Sequence, residues 1–145
     1  MPLRRLLLMM TTCWMFLQPA AEAQAELVVV VNVHCGVAAM TSNEVVNVFF
    51  GRNRQFFNGQ EAQPVDLPDT HPDRVRFYRE LIGKEISEVN AYWSRQVFSG
   101  RMQPPTKVNT SEEVLKWVVA HPGGIGFVDL ARADARVRIV YELAP

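Results

Sequence analysis

Leu27 to Val33 is an apolar run broken only by Asn32, and four of its residues are consecutive valines. β-Branched residues favour a strand, and the lack of alternation predicts burial on both faces, as in a parallel sheet. Thr41-Ser42-Asn43-Glu44 reads as a capping box, in which a hydroxyl and a carboxylate three residues on satisfy free amides. Val45, Val46, Val48, Phe49 and Phe50 follow, with Gly51 as the helix stop. Arg52 to Gly59 is a loop closing in the turn Asn58-Gly59.

Gln63 to Leu67 is a short extended piece ended by Pro68. Pro72 suits the first position of a helix, where its missing amide is no loss, and Gly83 suits the end after Ile82. Val75, Tyr78, Leu81 and Ile82 recur at three- and four-residue spacing, with Phe77 widening the stripe. A further helix covers Ser87 to Phe98, with Val89, Trp93 and Val97 on one stripe, and Ser99-Gly100 ends it. Pro104-Pro105 stiffens the next loop. Thr110-Ser111-Glu112-Glu113 is a second capping box, opening a helix that ends at His121-Pro122-Gly123-Gly124. Ile125 to Leu130 and Val137 to Leu143 read as strands. The order is β-α-β-α-α-α-β-β, an α/β domain with a small mixed sheet flanked by helices. No internal repeat or linker to a second domain interrupts it.

The first 25 residues differ in kind. Arg4 and Arg5 precede a mostly apolar run from Leu6 to Leu17. Pro19 and the overlapping small-x-small sites Ala21-Glu22-Ala23 and Ala23-Gln24-Ala25 follow. This is the layout of a cleavable secretory signal, and it predicts a periplasmic product of residues 26–145. The run is shorter than the roughly 20 residues a spanning helix needs. Removing residues 1–25 takes away Arg4, Arg5 and Glu22, leaving 13 basic and 14 acidic residues and a formal charge of −1. Near-neutral charge argues against nucleic acid as a partner. With 145 residues in all, 48% of them apolar, the chain has room for one core. Removal of Cys13 with the signal leaves Cys35 alone, without an internal disulfide partner.

Chemical candidates are sparse. His34 and Cys35 are neighbours on a strand end and point to opposite faces, with no partner at metal-ligand spacing, so a buried cysteine is the expectation. Gly123-Gly124-Ile125-Gly126 runs from helix into strand, the reverse of a phosphate-binding turn, and reads as a tight connection. Trp93, Trp117, Tyr92 and the phenylalanines sit at helical spacing and read as core. Arg74, Arg76 and Arg79 read as a solvated face diluted by Asp73 and Glu80. No catalytic constellation, metal set or cofactor motif stands out, so the reading is a non-enzyme without cofactor. Three helix starts remain as anion sites: Thr41-Ser42, Thr70-His71 and Thr110-Ser111.

Taken together, the valine strand, the phrase Thr41 to Val46 with Phe49-Phe50-Gly51, Asn58-Gly59, Phe77 before Leu81, Tyr92-Trp93, Phe98, Gly100, Pro104-Pro105 and the stretch His121 to Asp129 form a recognisable series. It resembles the phosphate-binding-protein-like branch of periplasmic solute-binding proteins, in its short members, over nearly all of residues 27–143. The resemblance implies a single lobe of a type II periplasmic-binding-protein fold. It also implies phosphate or another oxyanion as ligand and an ABC permease as receiver. One lobe cannot enclose an oxyanion alone, so a second copy or another periplasmic protein joins the candidate partners.

In the resembling proteins an arginine precedes a Ser-Gly-Thr turn at a helix start. Counting back from Phe77, that turn falls on His71-Pro72-Asp73 and the arginine position on Leu67. An alkyl chain cannot donate a bidentate pair, Pro72 removes an amide donor, and ionised Asp73 repels phosphate. The resemblance therefore implies a solute-binding-like protein with phosphate binding weak or lost. Any oxyanion site would rest on Thr41, Ser42, Thr70, His71 and Arg74, with hydroxyls and amides donating and Arg74 supplying charge. The alternative is an interaction or sensory module that keeps the fold without a small ligand.

Overall fold

The computed structural model describes residues 25–144, so the signal-peptide reading of residues 1–25 lies almost wholly outside the described residues. The chain forms β1 (Leu27–Asn32), α1 (Ser42–Phe49), β2 (Gln63–Asp66), α2 (Pro72–Ile82), α3 (Ile86–Phe98), β3 (Thr106–Lys107), α4 (Ser111–Ala120), β4 (Gly124–Asp129) and β5 (Val137–Glu142). The short strand β3 is an element that the hydrophobic pattern does not signal, since both its residues are exposed. The five strands lie in the order β3-β2-β4-β1-β5.

All six residues of β1 are buried, as their composition predicts. The inferred parallel surroundings do not hold. β1 pairs antiparallel with β4 on one side and β5 on the other, Val29 facing Phe127 and Tyr141. A central strand is covered on both faces whatever its neighbours' direction, so apolar continuity reports burial and not polarity of pairing. The parallel pairs are β2 with β4 and β2 with β3.

Helix α1 starts as its sequence dictates: the Thr41 hydroxyl accepts from the Glu44 amide, and the Glu44 carboxylate accepts from the Thr41 N–H at 2.7 Å. At α4 the box is incomplete. The Thr110 hydroxyl accepts from the Glu113 amide, but the Glu113 carboxylate takes the N–H of Asn109 instead of Thr110. Helix α2 ends at Gly83 in the left-handed region, with φ 65°, where a side chain would be strained. Beyond α4 the glycine-rich stretch is the tight turn expected. Asn32 Nδ2 donates to the carbonyls of Val118, Val119 and His121, which closes the helix end against β1. A Cβ on Gly126 would sit 2.6 Å from Val114 Cγ1, so this glycine lets α4 lie close on β4.

The core is aromatic where α1 and α2 meet β4. Phe77 stacks on Phe127 with centroids 4.0 Å apart, and Phe49 meets Phe77 edge-on at 4.9 Å. Cys35 is free and buried, in line with its sequence reading. On α3, Val89 and Trp93 are buried but Val97 is half exposed, because the helix runs past the end of the core. None of the described helices is long and apolar enough to cross a membrane.

Candidate functional site

The most developed polar region lies at the end of β2, where the chain turns into α2. Asp66, flanked by buried Val65 and Leu67, and Arg74, one turn into α2, are each only 1% exposed. Arg74 is thus a buried member of the arginine cluster, not part of a solvated face. Its Nε donates to Asp66 Oδ2 at 3.0 Å, and its guanidinium carbon lies 5.2 Å from the Tyr78 ring centroid. The Tyr78 hydroxyl donates to the same Asp66 oxygen at 2.8 Å, and the Leu67 amide donates to the other at 2.7 Å.

Burial pushes the Asp66 carboxyl above its ordinary range, against the opposing pull of Arg74 and these donors. Burial, reinforced by the nearby Asp66 carboxylate, raises the Tyr78 hydroxyl well above its ordinary value. The tyrosine therefore donates and does not ionise. The cluster is a hydrogen-bonded, buried ion pair, of the kind in which desolvation rivals attraction.

Around Arg74 opens a hollow of about 560 Å³. Its polar wall is Asp66, Asp69, Arg74, Asn90, Ser94 and Lys107; its apolar wall is Trp93, Val97, Phe98, Pro104 and Pro105. Asp69, in the β2–α2 loop, gathers two hydrogen-bond donors and an ion-pair partner from three elements. Lys107 of β3 and Arg74 Nη1 both reach Asp69 Oδ1, the latter at 3.2 Å, and Asn90 Nδ2 of α3 donates to Oδ2 at 2.8 Å. The Lys107 hydrogen bond, more than the Arg74 charge, holds the Asp69 carboxyl below its ordinary range against slight burial. Arg74 Nη1 also donates to Asn90 Oδ1 at 3.3 Å.

The five residues singled out in the sequence are not gathered in one cavity. Of them, Arg74 alone lines the large hollow. Exposed Thr41 caps α1, and Ser42 is the first residue of that helix. The α1 start is already served by the Glu44 carboxylate, which accepts from the Thr41 hydroxyl at 2.9 Å as well as from its amide. Glu44 itself borders a separate small hollow with Met40 and Phe56. Thr70 is exposed, and His71 caps α2, its Nδ1 accepting from the Asp73 amide at 3.2 Å. Leu67 is fully buried.

The sequence reading missed Asp66, Asp69, Asn90 and Lys107. One signal was present: an aspartate between apolar residues at a strand end is a charge bound for burial, and such a charge needs a partner. Among the described residues no group of three or more His, Cys, Asp and Glu is placed to hold a metal ion.

No protein-family model matches the chain, and no curated protein matches it. Solved structures do. An ABC-type phosphate transport receptor from Vibrio cholerae superposes with a TM-score of 0.64 at 17% identity, over 80% of this chain and 45% of that one. A phosphate ABC transporter substrate-binding protein with bound phosphate from Clostridium perfringens gives 0.64 at 12% identity, over 80% of this chain and 44% of its own. PstS from Borrelia burgdorferi gives 0.62 at 13%, over 80% and 46%. The chain thus spans less than half the length of the structures it matches, and those structures are transport receptors and substrate-binding proteins, not enzymes. At these identities the likeness is one of fold: this chain has the α/β, periplasmic-binding-protein-like fold of part of the phosphate ABC transporter substrate-binding proteins.

Proposed function

We propose that this protein is an exported, periplasmic solute-binding-like protein, related to the substrate-binding components of phosphate ABC transporters, with phosphate binding weak or lost. The shared fold supports the relationship. The observation that carries the second half of the reading is the engagement of Arg74. The cation best placed near the α2 start already faces two carboxylates, Asp66 and Asp69. Phosphate approaching there competes with both and meets Asp73 in the first helical turn. What remains to donate is modest: the Thr70 hydroxyl and the His71 ring, because the amides of Asp73, Arg74 and Val75 already donate to His71, with Thr41 and Ser42 offering a second, separate start. The protein works without a cofactor or catalysis. Its partners are an ABC permease, another periplasmic protein or a second copy of this chain, any of which supplies the surface that a lone lobe lacks.

A thermal-shift titration of the purified protein against phosphate, with sulfate as control, tests the reading. A ligand at a hundredfold its dissociation constant adds about 2.7 kcal/mol of stability, a rise of several degrees for a domain of this size. The expected result is no saturable response to phosphate below millimolar concentration. A micromolar, phosphate-specific shift would overturn it.

A further inference from the structure

We propose that the hollow between the β2–α2 loop, α3 and β3 is a site for a small organic monocarboxylate with an apolar body, and that the side chain of Asp69 occupies its head-group position until displaced. This inference goes beyond the transport reading and does not rest on it.

The head-group position is defined by what Asp69 gathers. Arg74, Asn90 and Lys107 come from three different elements and converge on one carboxylate that belongs to a loop. Two hydrogen-bond donors, Asn90 and Lys107, and an ion-paired guanidinium meeting at one planar acceptor form a carboxylate cradle, whoever owns the carboxylate. The cradle is rigid at its base and loose at its mouth. Arg74 is 1% exposed and fixed by Asp66, whereas Asp69 and Lys107 are 48% and 45% exposed. Exposed ion pairs contribute little, so swinging Asp69 out costs little, while an incoming anion still finds a buried guanidinium. Among the described residues the second terminal nitrogen of Arg74 has no hydrogen-bond partner, which leaves donor capacity beyond what Asp69 uses.

Charge and shape select the class. With Asp69 withdrawn, the fixed charges on the hollow are Arg74, Lys107 and Asp66, a formal sum of +1. A monoanion neutralises that sum, whereas dianionic phosphate overshoots it beside the Asp66 carboxylate. The opposite wall is made of Trp93, Val97, Phe98 and the two prolines, and Phe98 stands 95% exposed at its rim. An apolar body attached to the carboxylate covers that wall and gains by leaving water. At about 560 Å³ the space exceeds that of an inorganic oxyanion and suits a ring or short chain.

The test titrates the purified protein with benzoate, benzyl alcohol and phosphate, following backbone amide NMR shifts. Wild type binds benzoate weakly, with shifts at Asp69, Asn90, Phe98 and Lys107. Asp69→Ala, which empties the cradle, binds it about tenfold tighter. Asp69→Asn, which keeps the volume, moves in the same direction. Adding Lys107→Ala to Asp69→Ala removes most of the gain. Equal binding of benzyl alcohol would show an apolar surface without a cradle and overturn the proposal. So would unchanged benzoate affinity in both Asp69 variants, or phosphate binding the Asp69→Ala protein more tightly than benzoate. Phosphate silence in wild type bears only on the transport reading, so the two can fail separately.

Discussion

The two halves of this molecule are held together by different physics. Around β1, β4 and β5 the cohesion is apolar: a fully buried valine strand lies between two antiparallel partners, and Phe49, Phe77 and Phe127 pack against it. Around β2, β3 and the first turns of α2 it is ionic: Asp66, Arg74, Tyr78 and Asp69 form a linked set with Asn90 and Lys107. Helix α2 belongs to both, sending Phe77 to one and Arg74 and Tyr78 to the other. Apolar packing stabilises by every contact it makes, whereas a buried ion pair repays its desolvation only when all its members are present. One half should therefore respond to volume, and the other to completeness.

That contrast can be broken by mutation. In the apolar half Phe127→Ala removes one ring of a stacked pair, and a loss of about 3–5 kcal/mol is expected in urea unfolding. No second substitution in the same cluster should restore it. In the ionic half Asp66→Ala strands Arg74 as an uncompensated buried charge and should cost about 3 kcal/mol. Here the double variant Asp66→Leu/Arg74→Met should recover most of that loss, because an apolar pair of similar size avoids the desolvation of two charges. If the double variant is as unstable as the single, the ionic half is a net source of stability and the contrast fails.

A smaller effect sharpens it through pH. Asp69 has a folded-state value below its ordinary 3.8, owing chiefly to the Lys107 hydrogen bond. Its contribution to stability is therefore present above 3.8 and lost as pH falls through the lowered folded-state value. Asp66 runs the other way: burial raises its folded value, so its contribution is present below 3.8 and lost as pH rises through the raised value. Comparison of wild type with Asp69→Asn should show a small stability advantage for wild type near about pH 6 that shrinks toward about pH 3. A difference that grows on acidification would contradict the assignment.

The apolar half was legible in the sequence because its signals are local. Valines mark β1, helical spacing marks Phe77 and Tyr78, and Thr41 with Glu44 marks where α1 begins. What failed there, the direction of β1's neighbours, depends on strands far along the chain that the run itself cannot encode. The ionic half was mostly illegible. Arg74 read as surface because it sits beside Arg76 and Arg79, and only the β2–α2 turn brings Asp66 beneath it. Nothing in the spacing of Asp69, Asn90 and Lys107 announces that a loop, a helix and an edge strand will place them around one hollow. β3 was missed for a related reason: two exposed residues after a pair of prolines carry no periodicity, and their pairing is set by β2.

The strand order has a consequence for the time course of folding. β1 is the first strand of the sheet to be synthesised, yet its two partners, β4 and β5, are among the last parts of the described chain. Each pairing spans about a hundred residues, a high contact order that slows folding. Until the C-terminal strands arrive, Leu27 to Val31 has neither edge occupied by its native neighbour. A run of that composition is then prone to pair with other chains. The segment that anchors the finished domain is thus the one most in need of shelter before the domain is finished.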